Sequence, residues 1–456
     1  MNSLKIGFAR VNTNPPLGIF VSGYYIPRHA KGFLDDLEST ALALECGDTK
    51  LLMISVDISG INKDIGAEFK EAISQATGIP VENMILSATH THTGPKLFVA
   101  GTPSEHDTPE LYAEYRNFLK KRLVDVCRLA LQDVKPCRMA FGHGWAPERV
   151  AYIRRYRMKD GSTFTCPPIN DPNIVGPIGE LDQRVHVLRF DQEGGYSIIL
   201  VNYGLHADTI NGELISADWP GVMRRTLERT LDNVKCVSFI GAEGDVGSTH
   251  VNPTGGDMND TEISFDNEMK SPGMCRFVGR ALAGTVLQVY DKLEYIDVDQ
   301  LRLVQNIIRV PSNMPKPEEL PLAHLYKELH DSGRDCDIPY TGMQLTTAVA
   351  TATRMCNLEN GPEYYELPMT AVSIGDVAIV TLPGEPFTDI GVGIKDTEGW
   401  RSIMPFALSN GSQGYFPMQS AFDEGGYEAG TSKYAPGVAE ALIANGKQLL
   451  SQLKEK

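Results

Sequence analysis

The chain has 456 residues, 42% hydrophobic and 22% charged, the balance of a soluble globular protein long enough to bury a large core. Lys plus Arg number 42 against 58 Asp plus Glu, and the net charge of −16 argues against nucleic acid or an anionic membrane surface as partner. The stretch from Arg149 to Arg157 is the one local basic exception.

Eight cysteines are scattered without a CxxC pair, which reads as reduced thiols and not as a disulfide framework. The opening MNSLKIGFARVNTNPPLG lacks the apolar run of a signal peptide, and apolar runs elsewhere are strand-sized. No integral membrane segment and a cytoplasmic location are therefore expected.

In chain order, residues 51–56 read as a strand, 63–77 as a helix, 83–88 as a strand and 109–132 as a helix. Residues 145–179, dense in Arg, Tyr, Pro and Gly, read as an irregular stretch draped over a site. Strand 197–201, helix 220–231, strand 237–240 and helix 273–293 follow. Residues 311–368 loosen into an insertion or cap, before strands 377–382 and 403–408 and helix 436–453. The strands are almost continuously apolar, as strands covered on both faces are. The alternation predicts a single α/β domain over 1–456, with a mixed, largely parallel sheet covered by helices.

Chemistry collects where these strands end. In MILSATHTHTGP, His90 and His92 stand at i and i+2 and project from one side of a strand end, a good start for a zinc site. His206 and Asp208 follow the strand of SIILVNYGLHADT. Asp245 and Ser248 lie in the Gly-rich turn of VSFIGAEGDVGST. Glu385 follows VAIVTLPGE, and Asn410 and Tyr415 follow IMPFAL. Sites in α/β sheets lie outside the carboxyl ends of strands, so these ends point to one shared site. His, His and Glu are the ligand types of a catalytic zinc that keeps one position open.

The same motifs resemble the catalytic domain of the neutral/alkaline ceramidases, a family of zinc amidases. IGFARVNTNPPLG, SATHTHTGP, NYGLHADT with ISADWPG, YIRRYRMKDG, GAEGDVG, LPGEPF, LSNGSQGYF and GGYEAGTS are similar to that family's motifs, in the same order, from about residue 6 to 437. The resemblance implies metal ligands His90, His206, Glu385 and Tyr415, with His92 beside the metal handling protons. It places Arg154 and Tyr427 at the substrate carbonyl, with Arg155 as the alternative if the register slips by one. Ile153 stands where the family has Asn. The family's serine falls on Gly247, leaving Ser248 as the nearest catalytic hydroxyl. No C-terminal immunoglobulin-like domain is expected after the matched motifs, and with that a substrate other than ceramide is expected.

The expected function is a Zn2+-dependent hydrolase that cleaves a small-molecule amide or ester, N-acylated in kind, with metal-activated water. The competing reading is a non-catalytic metal- or ligand-binding protein that lost a catalytic group at Gly247.

Overall fold

The computed structural model describes residues 3–98 and 108–455. Among them, a nine-stranded sheet contains β1 (Lys5–Asn12), β2 (Glu38–Cys46), β3 (Thr49–Val56), β4 (Met84–Ala88), β5 (Lys135–Trp145), β6 (Arg184–Gln192), β7 (Ser197–Tyr203) and β8 (Val234–Ile240). Their order is β8-β7-β6-β5-β1-β2-β3-β4, and the short β9 (Glu294–Ile296) also pairs with β5. A second sheet holds β10 (Leu301–Pro311), β11 (Tyr364–Ile374), β12 (Val377–Thr381) and β13 (Ser402–Phe406), in that order.

Only β3/β4, β7/β8 and β12/β13 pair in parallel within these two sheets of described residues. Their other pairs are antiparallel, which corrects the expected largely parallel sheet. The reason is local. Two residues, Gly47-Asp48, join β2 to β3, and two more, Gly375-Asp376, join β11 to β12. Connections that short can only return the chain antiparallel.

Helices form where caps and periodicity coincide. α1 (Lys63–Thr77) starts where the Asn62 side chain accepts from the Ile65 N–H, and stops at Gly78 in the left-handed region. α2 (Pro109–Gln132) is capped by Thr108 and opens on a proline. These two pack on one half of the large sheet, while α3 (Asp218–Thr230) and α4 (Pro272–Tyr290) cover the other half. The opposite face of that sheet packs on the second sheet, where Phe239 and Phe406 stack with centroids 4.4 Å apart. The expected helical cover thus lies on one face of the large sheet, and the second sheet covers the other.

The stretch expected to be an irregular cap contains α5 (Leu320–Asp331) and α6 (Gly342–Leu358), inserted between paired strands β10 and β11. α7 (Thr388–Lys395) and α8 (Val438–Glu455) cover the outer face of the second sheet. The layers thus run helix, sheet, sheet, helix.

The large sheet curls without closing. The Ser55 hydroxyl on β3 donates to the Ser238 carbonyl on β8 at 2.8 Å, and Arg224 of α3 grips Asp57 with bonds of 3.0 and 2.6 Å. This brings the ends of β4, β7 and β8 together. The Ala407 N–H reaches the Ile240 carbonyl at 2.9 Å, and Ser409 meets Ser87 at 2.6 Å, so the ends of the second sheet join the same place.

Candidate active site

Beyond β4 the chain turns sharply at His90, whose φ of 63° lies in the left-handed region that a side-chain-bearing residue seldom adopts. The turn is held by the His90 N–H on the Ile58 carbonyl and the His92 N–H on the Ala207 carbonyl, both at 2.9 Å. His90 Nδ1 lies 2.6 Å from the Ser59 carbonyl, so Nε2 is the nitrogen left facing inward. His206 repeats the arrangement: its Nδ1 lies 2.9 Å from the Glu243 and Val246 carbonyls.

Glu385 comes from the Pro-Gly-Glu turn after β12. Its N–H donates to the Gly414 carbonyl at 2.9 Å. A Cβ on Gly384 would stand 2.4 Å from that same carbonyl oxygen, so only glycine lets the two loops meet.

Three atoms converge. Glu385 Oε2 is 3.4 Å from His90 Nε2 and 3.3 Å from His206 Nε2. His92 Nε2 is 3.2 Å from His90 Nε2. Donors about 2.0–2.2 Å from a tetrahedral zinc stand roughly 3.3–3.6 Å apart, so these spacings fit an ion without rearrangement. Buried Glu385 Oε2 has no hydrogen-bond partner among the described residues, as an atom awaiting a cation would. His90, His92 and His206 together form a group that could hold a metal ion.

Around this group stands a polar shell. Arg154 lines the pocket, with its Nε 2.7 Å from Glu428 and an Nη donating to the Gly244 carbonyl and the Tyr415 hydroxyl, each at 3.0 Å. The Tyr415 hydroxyl is 3.5 Å from His206 Nε2. Tyr427 also lines the pocket, its ring 5.6 Å from that of Tyr415. His92 Nδ1 faces Asp208 at 3.2 Å, and Asp208 lies 2.6 Å from buried Lys270, which also pairs with Glu268.

Electrostatics follow from burial and neighbours. Burial, together with Arg154, pushes His206 down to about 3, so its ring is neutral and a competent ligand. Burial also lowers His92. Against burial, His90 and His206 hold the Glu385 carboxyl well below the usual carboxylate range. Burial and then Glu385 push Glu243 well above it.

The pocket encloses about 330 Å³. Its wall includes Tyr24, Asp208, Asp266 and Glu268, together with Met343 and Thr346 of α6. Thus His90, His92, Arg154, Glu385, Tyr415 and Tyr427 border one cavity, and His206 lies directly behind them.

Two expected residues fall elsewhere. Ser248 is buried, is not part of the pocket wall, and its hydroxyl has no partner among the described residues. The extra residue between Val246 and Ser248 puts the hydroxyl one place past the β-bridge that holds Gly247 against Tyr152. Arg155 turns from the pocket to pair with Glu424 at 3.0 Å. The basic stretch is neutralised by Asp257, Glu424 and Glu428, and forms no anionic-ligand surface of its own. The cysteines are all free. Glu243 and Lys270, both fully buried at the site, were not foreseen. Glu243 stands in the same Gly-rich turn as Asp245, two residues before it, and nothing in NEMKSPG marks Lys270.

No protein-family model matches the sequence, and a search of curated proteins gives no match. Solved structures do match. The neutral ceramidase of Pseudomonas aeruginosa aligns with a TM-score of 0.72 over 100% of this chain and 75% of its own, at 16% identity. A structure titled "Ceramidase complexed with C2" aligns with a TM-score of 0.72 over 100% of this chain and 76% of that one, at 15% identity. This chain has the neutral ceramidase fold. At such identity the likeness is one of architecture, and it agrees with the resemblance carried by the ordered motifs. Of the strand-end residues, His90, His92, Asp208, Glu385 and Tyr415 line one cavity, while His206, Asp245, Ser248 and Asn410 are not part of its wall. No helix among the described residues is long and apolar enough to cross a membrane.

Proposed function

We propose that this chain is a metal-dependent hydrolase that cleaves an amide or ester bond in a small, polar, N-acylated molecule. The observation that carries this reading is that buried Glu385 Oε2 lies 3.4 Å from His90 Nε2 and 3.3 Å from His206 Nε2, beside the cavity. His90, His206, Glu385 and Tyr415 would hold the ion, which we take to be Zn2+. When bound, zinc supplies Lewis acidity and makes water acidic enough to act near neutral pH.

The chain's own residues supply the rest. His92 would take the proton from the attacking water and return it to the leaving nitrogen or oxygen; burial lowers its pKa and keeps the ring neutral, able to accept. Asp208 orients that ring through Nδ1. Arg154 and Tyr427 donate to the carbonyl oxygen as it gains charge. Ser248 has no part in this scheme, because it does not border the cavity.

A cavity of about 330 Å³ sits at the small end of ligand sites, roughly 300–1,000 Å³. Besides Glu385, its wall carries the carboxylates of Asp208, Asp266 and Glu268 beside Leu97, Phe98, Phe265 and Met343, a mixed lining that suits a small molecule with a polar end better than a pair of long alkyl chains. Metal content of the purified protein, followed by His90→Ala and Glu385→Ala, tests the proposal. It expects about one ion per chain and loss of hydrolysis in both variants across a panel of N-acyl amides and esters. An ion-free protein whose hydrolysis survives both changes overturns it. An ion without turnover on any of the panel points to the binding protein instead.

A further inference from the structure

Glu243 takes no part in the chemistry above, yet it is fully buried and both of its carboxylate oxygens lack a hydrogen-bond partner among the described residues. One of those oxygens lies within 4.8 Å of both a ring nitrogen of His90 and a carboxylate oxygen of Glu385. We propose that Glu243 is an additional carboxylate ligand of the metal centre. The inference rests on the metal-hydrolase reading.

The backbone fixes this residue against two ligand loops. Its carbonyl accepts from the Val246 N–H at 2.8 Å and lies 2.9 Å from His206 Nδ1. The next residue ties to the Glu385 turn, with the Gly244 N–H on the Pro386 carbonyl at 2.8 Å. A Cβ at Gly244 would stand 2.5 Å from the Glu385 carbonyl oxygen, so the two loops are in direct backbone contact. Glu243 therefore travels with His206 and Glu385 as one unit.

No base in the vicinity answers it. Among the described residues Glu243 forms no ion pair, and the donors of nearby Arg154 face Glu428, the Gly244 carbonyl, the Tyr415 hydroxyl and, at 3.3 Å, His206 Nε2, with none on Glu243. A buried carboxylate is costly unless it is paired or coordinates a metal, and an apolar side chain would fill this place without that cost. A divalent cation between Glu243 and Glu385 removes the conflict, since two carboxylates balance its charge. Carboxylate oxygens suit Mn2+ better than imidazoles alone do, so the added ligand broadens the range of ions that the site accepts.

The test is ion affinity, measured on metal-stripped full-length protein titrated with Zn2+ alone and with Mn2+ alone against a chromophoric chelator. Glu243→Gln keeps the shape and removes the charge. It is expected to weaken binding on the order of 10- to 100-fold, more for Mn2+ than for Zn2+. Glu243→Asp, which keeps the charge but withdraws it by one methylene, is expected to fall between; it serves if the Gln variant misfolds by circular dichroism. Unchanged affinity in the folded variants, with binding lost in His90→Ala, overturns this proposal and leaves the hydrolase reading standing. Wild-type protein that takes up neither ion removes both.

Discussion

Lys270 sets its ammonium 2.6 Å from the carboxylate of Asp208, and both side chains are buried. The same ammonium pairs with Glu268, so one cation neutralises two carboxylates in the wall of the cavity. Lys270→Met strands both. Removing one partner of a buried ion pair costs about 3–5 kcal/mol, and denaturant unfolding should show a loss of that size. Because Asp208 also faces His92, hydrolysis should fall about 10- to 100-fold in whatever fraction remains folded.

Arg154 is the second point of leverage. It meets Glu428, Tyr415 and a main-chain carbonyl with separate donors of one planar fork. Arg154→Lys keeps the charge and loses the fork. Turnover should drop roughly 100-fold, the size of losing one stabiliser of the developing oxyanion, while ion content stays unchanged. Steady-state kinetics together with metal analysis check both halves.

Asp245 gives a pH signature. Burial pushes its carboxyl up to about 6, although Thr388 donates to it from both backbone and hydroxyl. A carboxyl with a folded pKa above its unfolded value of about 4 holds its proton more tightly when folded. Its contribution to stability is complete below about pH 4 and is lost as pH rises through 6. Asp245→Asn removes that dependence. Relative to wild type, the variant should gain about 2–3 kcal/mol between pH 4 and pH 7, read from urea unfolding of metal-free protein.

The two-sheet core is tested by Phe406→Ala. Phe406 stacks on Phe239 with planes 7° apart, and both rings are fully buried between the sheets. Truncation should cost about 3–5 kcal/mol, as for other buried aromatics, with no change in ion affinity. A loss under about 1 kcal/mol would mean that the two faces do not pack as described.

The six strands legible in the sequence are the six that form the three parallel pairs of the two main sheets. Segments such as LLMISV and VAIVT, apolar at every position, announce themselves. Their antiparallel partners do not. Strand β5, KPCRMAFGHGW, mixes charged, aromatic and glycine residues, and β6, RVHVLRFDQ, alternates. Reading only the continuous runs gave the expectation of a largely parallel sheet. The strand ends were also the visible part of the site, so His90, His206 and Glu385 could be read while the supporting Lys270 could not. Its role depends on a contact with Asp208, 62 residues away in sequence, for which a period of two or of 3.6 carries no trace. Glu243 failed for a different reason. Two acids two residues apart in one glycine turn are equivalent on paper, and only the packing of that turn against Glu385 separates them.

The curl of the large sheet has a kinetic consequence. His90 follows β4 at one end of the strand order, and His206 follows β7 near the other, while Glu385 arrives from the second sheet some 180 residues later. No stretch of the chain short enough to fold early contains all three. Contacts between residues so distant in sequence form late, after the entropy of closing long loops has been met. On the proposed metal site, full-strength ion capture during refolding reports the completion of both sheets, since Glu385 arrives only with the second, and a chain arrested before that has the three histidines of the large sheet alone to offer.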